Sequence, residues 1–174
     1  LVWGVNPVVC NDVDNVDAMT ARAVETAAKL RFAQTGQTIV IAAGARPFVP
    51  PIPGLDEVGY LTSDTVWNLR ELPRRLVVLG GGPIGCELTQ AFARFGSQVT
   101  QVEMLPRIMI REDPEVSALV KQRFEAEGIR VLTGHKASRF LLEGGEKVLL
   151  AEHEGQEARI PFDAVIVAVG RIAN

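Results

Sequence analysis

Residues 76–103 read LVVLGGGPIGCELTQAFARFGSQVTQVE. Leu76–Leu79 is a short unbroken apolar run, the pattern of a strand covered on both faces. Pro83–Phe95 reads as a helix, with proline in its first turn and a stop at Gly96. Gln98–Glu103 returns to a strand pattern. Between the first strand and the helix, Gly80-Gly81-Gly82-Pro83-Ile84-Gly85 spells G-x-G-x-x-G at Gly80, Gly82 and Gly85. Alone this is a weak signal, because glycine-rich turns that bind nothing are common. Here a buried strand precedes it, a helix follows, and Glu103 stands 23 positions after the first glycine, at the end of the second strand. That is the context a dinucleotide site requires.

Each residue then has a physical task. Gly80 permits the tight turn, Gly82 has no Cβ to hold a pyrophosphate away, and Gly85 lets the helix approach the strand. The helix N-terminus offers unpaired N–H groups and partial positive charge to phosphates. Glu103 can accept hydrogen bonds from both hydroxyls of an adenosine ribose, and its charge would repel a 2′-phosphate. NAD(H) is therefore expected over NADP(H), with Arg107 and Arg111 able to offset part of that repulsion. Glu87 lies in the first turn, where a carboxylate suits the helix dipole. Cys86 shares that turn but reads as a small packed residue.

Outward from this stretch, Asp113-Pro114 opens a second helix that runs to Glu127, and Ile129–Leu132 is a third strand. Strands alternating with helices make βαβ units, so an α/β, Rossmann-like fold with a central parallel sheet is expected. Arg139–Leu142, Lys147–Glu152 and Ala158–Ile160 alternate apolar and polar residues around a Gly144-Gly145 turn, which predicts an antiparallel β-meander with one wet face. Ala164–Val169 is again a buried strand, ended by Gly170. Upstream, Ile39–Ala43 has the same buried-strand pattern, ended by Gly44, and leads into a connector rich in proline (Pro47, Pro50, Pro51, Pro53). A short helix is expected over Thr65–Arg70. The divisions are 1–38, unassigned, with a helix over 17–34 (Asp17 as N-cap, Gly36 beyond its end, an apolar stripe of Met19, Ala23, Ala27 and Leu30); 39–75, strand and connector; and 76–174, the nucleotide-binding domain.

Composition narrows the class. The 174 residues carry 18 Lys and Arg against 21 Asp and Glu, a net charge of −3, so no basic footprint argues for nucleic acid. No apolar run approaches the length that crosses a bilayer, and a cytoplasmic protein is expected. Cys10 and Cys86 stand 76 positions apart, which fits neither a disulfide scaffold nor a Cys-x-x-Cys motif. His135 and His153 form no cluster with cysteine and read as surface residues, so no metal site is expected. Asp12-x-Asp14 lacks the glycine and glutamate of a calcium loop and reads as a solvated turn.

The string GGGPIGCE at Gly80–Glu87 resembles the pyridine nucleotide-disulfide oxidoreductases, the FAD enzymes that include dihydrolipoamide dehydrogenase, glutathione reductase and mercuric reductase. Ile39–Pro47 (IVIAAGARP) is similar to the family's first A-T-G-x-x-P element, with Ala43 in place of threonine. Pro51–Gly54 and Leu61–Asp64 resemble its connector. Asp163–Asn174 (DAVIVAVGRIAN) is similar to its second such element, with Ala173 where proline is usual. The resemblance spans residues 38–174 and, by the order of these elements, makes Gly80–Gly85 the NAD fingerprint and not the FAD one. It implies that Glu87 faces nicotinamide and flavin, and that Gly44, Gly170 and Arg171 approach cofactor closely.

The resemblance also implies what this stretch does not carry. The redox cysteine pair, the FAD fingerprint and the dimerisation domain with its histidine have no counterpart here. The expectation is therefore an NAD(H)-binding central domain of a homodimeric FAD enzyme, positioning NADH for hydride transfer to flavin. The stretch alone is expected to bind NADH, to lack FAD and to be inactive. Its partners would be NADH and the remaining FAD and dimerisation domains, with no nucleic acid and no membrane. A non-catalytic dinucleotide-binding or interaction module, and an NADH oxidase or peroxidase of the same family, are the other readings.

Overall fold

The computed structural model describes residues 8–9, 15–40, 42 and 44–173. Leu1–Val5, Cys10 and the Asp12/Asp14 turn lie outside the described residues. The chain divides into two compact units, Leu1–Ala45 with Ala173–Asn174, and Arg46–Ile172.

In the first unit, helix α1 (Val16–Lys29) starts where the Asn15 side chain accepts the Ala18 N–H at 2.8 Å. Asn15, not Asp17, is the N-cap, since its extended backbone leaves the side chain under the first turn. The helix ends at Lys29, short of Gln34, because the chain turns at Arg31 with φ 59°. The strand expected over Ile39–Ala43 is not formed at Ile39, Val40 or Ala42, and Val40 is 87% exposed. An apolar run becomes a strand only where another strand supplies its ladder, and no described strand pairs with these residues.

Strand β1 (Ala45–Pro47) leads into the second unit, followed by α2 (Leu55–Val58), β2 (Leu61–Thr62), a 3-10 turn (Val66–Asn68), β3 (Arg75–Leu79), α3 (Pro83–Phe95), β4 (Gln98–Glu103), α4 (Pro114–Ala126), β5 (Arg130–Thr133), β6 (Lys136–Glu143), β7 (Glu146–His153), β8 (Gln156–Phe162), β9 (Ala164–Val167) and β10 (Arg171–Ala173). The helix expected over Thr65–Arg70 is only the 3-10 turn, because Leu69 takes an extended ψ of 135°.

Five strands form a parallel sheet in the order β2-β9-β3-β4-β5, and β6-β7-β8 form the antiparallel meander. Alternation along β3 sorts its side chains into two cores. Val77 and Leu79 pack with Val102, Val165 and Val167 against Phe140, Leu149, Ile160 and Phe162 of the meander. Leu76 and Val78 face the opposite way and pack with Val99, Ile166 and Cys86 against Phe124 and Ile129. The sheet is thus covered on both faces, which is why its central strands β3 and β9 read as apolar runs. Phe140 and Phe162 meet edge to face at 5.7 Å.

Two local ties hold the layers in register. Gly54, at φ +80°, sits so close to β6 that a Cβ would fall 2.1 Å from the Phe140 carbonyl oxygen, and the Phe140 N–H donates to the Pro53 carbonyl at 2.8 Å. Gly54→Ala should destabilise the protein by about 2–4 kcal/mol in a urea titration, since it adds both left-handed strain and a backbone clash. Glu127, just past α4, accepts from Arg94 and Gln90 of α3 and from Arg123. The Arg94 guanidinium first, then Arg123 and Gln90, hold its carboxyl at about 2, below the ordinary 4.5. A carboxyl depressed by folding stabilises the fold above its unfolded pKa and loses that contribution as pH falls through the folded one. Wild type should therefore lose stability between pH 4.5 and about 2 more steeply than Glu127→Gln in acid unfolding followed by circular dichroism.

Candidate dinucleotide site

The carboxyl ends of β3, β4 and β9 open into a cavity of about 1130 Å³, lined there by Leu79, Val102 and Val167. The site lies at the end of β3, where the chain runs through α3 to β4 on one side while β9, entered from the meander, lies on the other; open α/β sheets bind ligands where the strand order reverses in this way.

The glycines divide into two kinds. Gly80 has φ +106°, and a Cβ there would stand 2.3 Å from the Ala168 carbonyl oxygen. A Cβ on Gly85 would stand 2.2 Å from the Gly80 carbonyl oxygen. These two let strand, turn and helix backbones touch. Gly82 is different: no atom lies within 4 Å of where its Cβ would be, and with Gly80, Gly81, Pro83 and Ile84 it lines the cavity. It is also the N-cap of α3 and supplies no side-chain cap, so the first-turn N–H groups face the open space without an intrahelical acceptor. That cradle suits an anionic group.

Glu103 ends β4 and is 9% exposed. Its Oε2 accepts the Gly81 N–H at 2.6 Å and its Oε1 accepts the Leu105 N–H at 2.7 Å. A carboxylate has about four lone-pair sites, so these two bonds orient it and leave capacity for hydroxyl donors. Arg107 donates to the Ile110 and Glu112 carbonyls at 2.9 and 2.8 Å, which engages it in shaping its own loop. Arg111 stands exposed and lines the same cavity as Glu103, so the two arginines do not act alike.

Gly170 and Arg171 line the cavity as well. The Gly170 carbonyl accepts the Phe48 N–H at 2.9 Å, and Arg171 donates to Ser63 Oγ at 2.9 Å and contacts Asp64 at 3.2 Å. Gly85 is buried behind the turn. Glu87 is the fifth residue of α3, past the first turn where it was expected, because the helix begins at Pro83; it is exposed and is not among the lining residues, while Gly44 belongs to the first unit. Burial pushes the Cys86 thiol up, against a smaller opposing effect of the Gln101 hydrogen bond. Among the described residues no group of three or more His, Cys, Asp or Glu is placed to hold a metal ion, and no helix is long and apolar enough to cross a membrane.

Two features escaped the sequence reading. Gln101, fully buried, reaches the glycine turn from β4. His135 and His153 are half-buried, not surface residues: their rings stack at 4.2 Å, and their Nδ1 atoms meet the Thr133 and Gly134 carbonyls at 2.8 and 2.9 Å. The cause is antiparallel register, since Lys136 opposite Glu152 brings the preceding residue beside His153. His135 lines the cavity, and its N–H donates to the Glu103 carbonyl at 3.0 Å.

Residues 7–174 match the family model described as pyridine nucleotide-disulphide oxidoreductase. The chain is 39% identical over 140 residues to a mercuric reductase of Staphylococcus aureus, covering 80% of this chain and 26% of that protein. It is 35% identical over 133 residues to the dihydrolipoyl dehydrogenase of Bacillus subtilis, covering 76% and 29%. The HOCl-induced flavoprotein disulfide reductase of Escherichia coli superposes with a TM-score of 0.67 at 34% identity, covering 75% of this chain and 29% of that one. The chain thus spans less than a third of the length of these relatives.

The two kinds of glycine can be told apart by substitution. Gly85→Ala should lower stability by about 3 kcal/mol, because its Cβ meets a backbone oxygen. Gly82→Ala should stay within about 1 kcal/mol of wild type in the same thermal unfolding measurement, because its Cβ enters open space.

Proposed function

Because the chain belongs to the pyridine nucleotide-disulphide oxidoreductase family, we propose that its Arg46–Ile172 unit holds NAD(H) and presents the nicotinamide for hydride transfer within an FAD-dependent enzyme. The observation that carries the reading is the open space at Gly82, at the head of α3, with the buried Glu103 carboxylate bonded to the adjoining Gly81 N–H and lining the same cavity.

The residues divide the work. Gly82, Ile84 and the first turn of α3 bind the pyrophosphate through backbone N–H groups. Glu103, already aimed by two backbone bonds, receives the ribose hydroxyls. Gly170 and Arg171 complete the lining of the cavity, with Arg171 steadied by Ser63 and Asp64. When bound, the reduced nicotinamide supplies a hydride to flavin; this chain contributes orientation and electrostatics. Disulfide chemistry, FAD binding and dimerisation belong, in this reading, to other parts of a cytoplasmic homodimer, and the 174-residue chain alone binds NADH without turnover.

Calorimetric titration of NADH into the protein tests this directly, and no heat of binding at about 1 mM NADH rejects it. Glu103→Ala should weaken binding of both nucleotides, because it also releases the Gly81 N–H. The decisive quantity is the ratio, and the preference for NADH over NADPH should narrow by about tenfold, roughly 1.4 kcal/mol. An unchanged ratio removes Glu103 from the ribose site.

A further inference from the structure

The carbonyl of Gly80 and the N–H of Gly81 are the two ends of one peptide group, and β4 holds both. Gln101 Nε2 donates to the Gly80 oxygen at 3.0 Å, while Glu103 Oε2 accepts the Gly81 N–H at 2.6 Å. Gln101 and Glu103 are alternate residues of β4 and therefore share a face, about 6.6 Å apart along the strand. In a trans peptide, C=O and N–H point in opposite directions. A peptide lying across that face meets a donor at one end and an acceptor at the other.

A peptide between two glycines is unusually free to flip, since neither neighbour has a Cβ to restrict it. The flipped form would aim the Gly80 oxygen at the Glu103 carboxylate and the Gly81 N–H away from it. It would also rotate the backbone that leads into Gly82.

We propose that Gln101 is a positioning residue of the dinucleotide site, fixing the Gly80–Gly81 peptide so that the turn presents its phosphate-facing N–H groups whether or not nucleotide is bound. This rests on the NAD(H) reading above and adds to it a residue that touches no ligand: Gln101 is 0% exposed. Its task is distinct from that of Glu103. When ribose hydroxyls bind the Glu103 carboxylate, its grip on the Gly81 N–H is shared, and Gln101 remains the anchor that nucleotide does not compete for.

The amide also carries a penalty that packing alone does not explain. Gln101 Oε1 is buried without a hydrogen-bond partner among the described residues, and the other contact of Nε2 is the Cys86 sulfur at 3.5 Å. Burying an unpaired carbonyl is unfavourable, and an apolar side chain of equal length would avoid it.

Gln101→Met removes the unpaired Oε1 but also strips the buried Gly80 oxygen of its donor, so the two changes oppose each other in stability while both leave the turn unanchored. In the full-length protein, Gln101→Met should therefore shift the thermal midpoint by no more than about 4 °C while NADH binds about tenfold more weakly, a separation that a merely structural residue would not show. In the nucleotide-free protein, the Gly81 amide should exchange with solvent about tenfold faster, judged by NMR against the Val78 amide of β3. Gln101→Leu, measured in parallel, should behave the same way. Wild-type affinity in Gln101→Met, or unchanged Gly81 exchange, overturns the proposal. So does a loss of affinity that only follows a loss of stability in both variants. If wild type itself does not bind NADH, the dinucleotide reading falls, and the positioning role with it; the exchange comparison then still decides whether the clamp exists.

Discussion

The Gly80 carbonyl is the point on which the second unit is built. The missing Cβ of Gly85 lets α3 rest against it, the missing Cβ of Gly80 lets the turn rest against the Ala168 carbonyl of the β9 connection, and the Gly80 N–H reaches the Val102 carbonyl of β4 at 2.9 Å. Three strands and a helix therefore converge within contact distance at the end of β3. Any side chain at either glycine would push the helix off the sheet, close the orphan N–H groups of its first turn and separate the strands that floor the cavity.

From that point the rest follows by alternation. Odd residues of β3 meet the meander and even ones meet the helices, so one five-residue strand belongs to both cores. Strand β4 uses the same rule differently. Val99 goes to the helical core and Val102 to the meander core, while Gln101 and Glu103 place polar groups on the glycine turn. A polar position inside a buried strand is tolerated here because backbone atoms of the turn answer it.

How much of this was legible depended on whether the determining contacts were local. The elements from β3 to β5 could be read closely, since apolar runs, Pro83 and Pro114 in first turns, and Gly96 and Gly128 beyond helix ends are all short-range signals. The motif residues Gly80–Gly85 and Glu103 were legible for the same reason, and the structure brings Gly80, Gly81, Gly82, Pro83, Ile84, Glu103, Gly170 and Arg171 to one cavity. What could not be read was pairing. The apolar pattern of Ile39–Ala43 reports a wish for cover and says nothing of a ladder partner. The insertion of β9 between β2 and β3, the stacking of His135 on His153 and the reach of Gln101 all arise from residues distant in the chain.

Arg107 separates the form of a loop from its chemistry. Its guanidinium binds carbonyls of Ile110 and Glu112 and draws the segment after β4 into a fixed curve, helped by the Ser117 hydroxyl on the Ile108 carbonyl at 2.6 Å. The side chains that this curve displays at the cavity, among them those of Met104, Ile110 and Arg111, do not hold it together. The wall of the cavity can thus change sign or size by substitution while its backbone stays in place. A fold built this way can change what its cavity accepts over evolutionary time without rebuilding the scaffold around it.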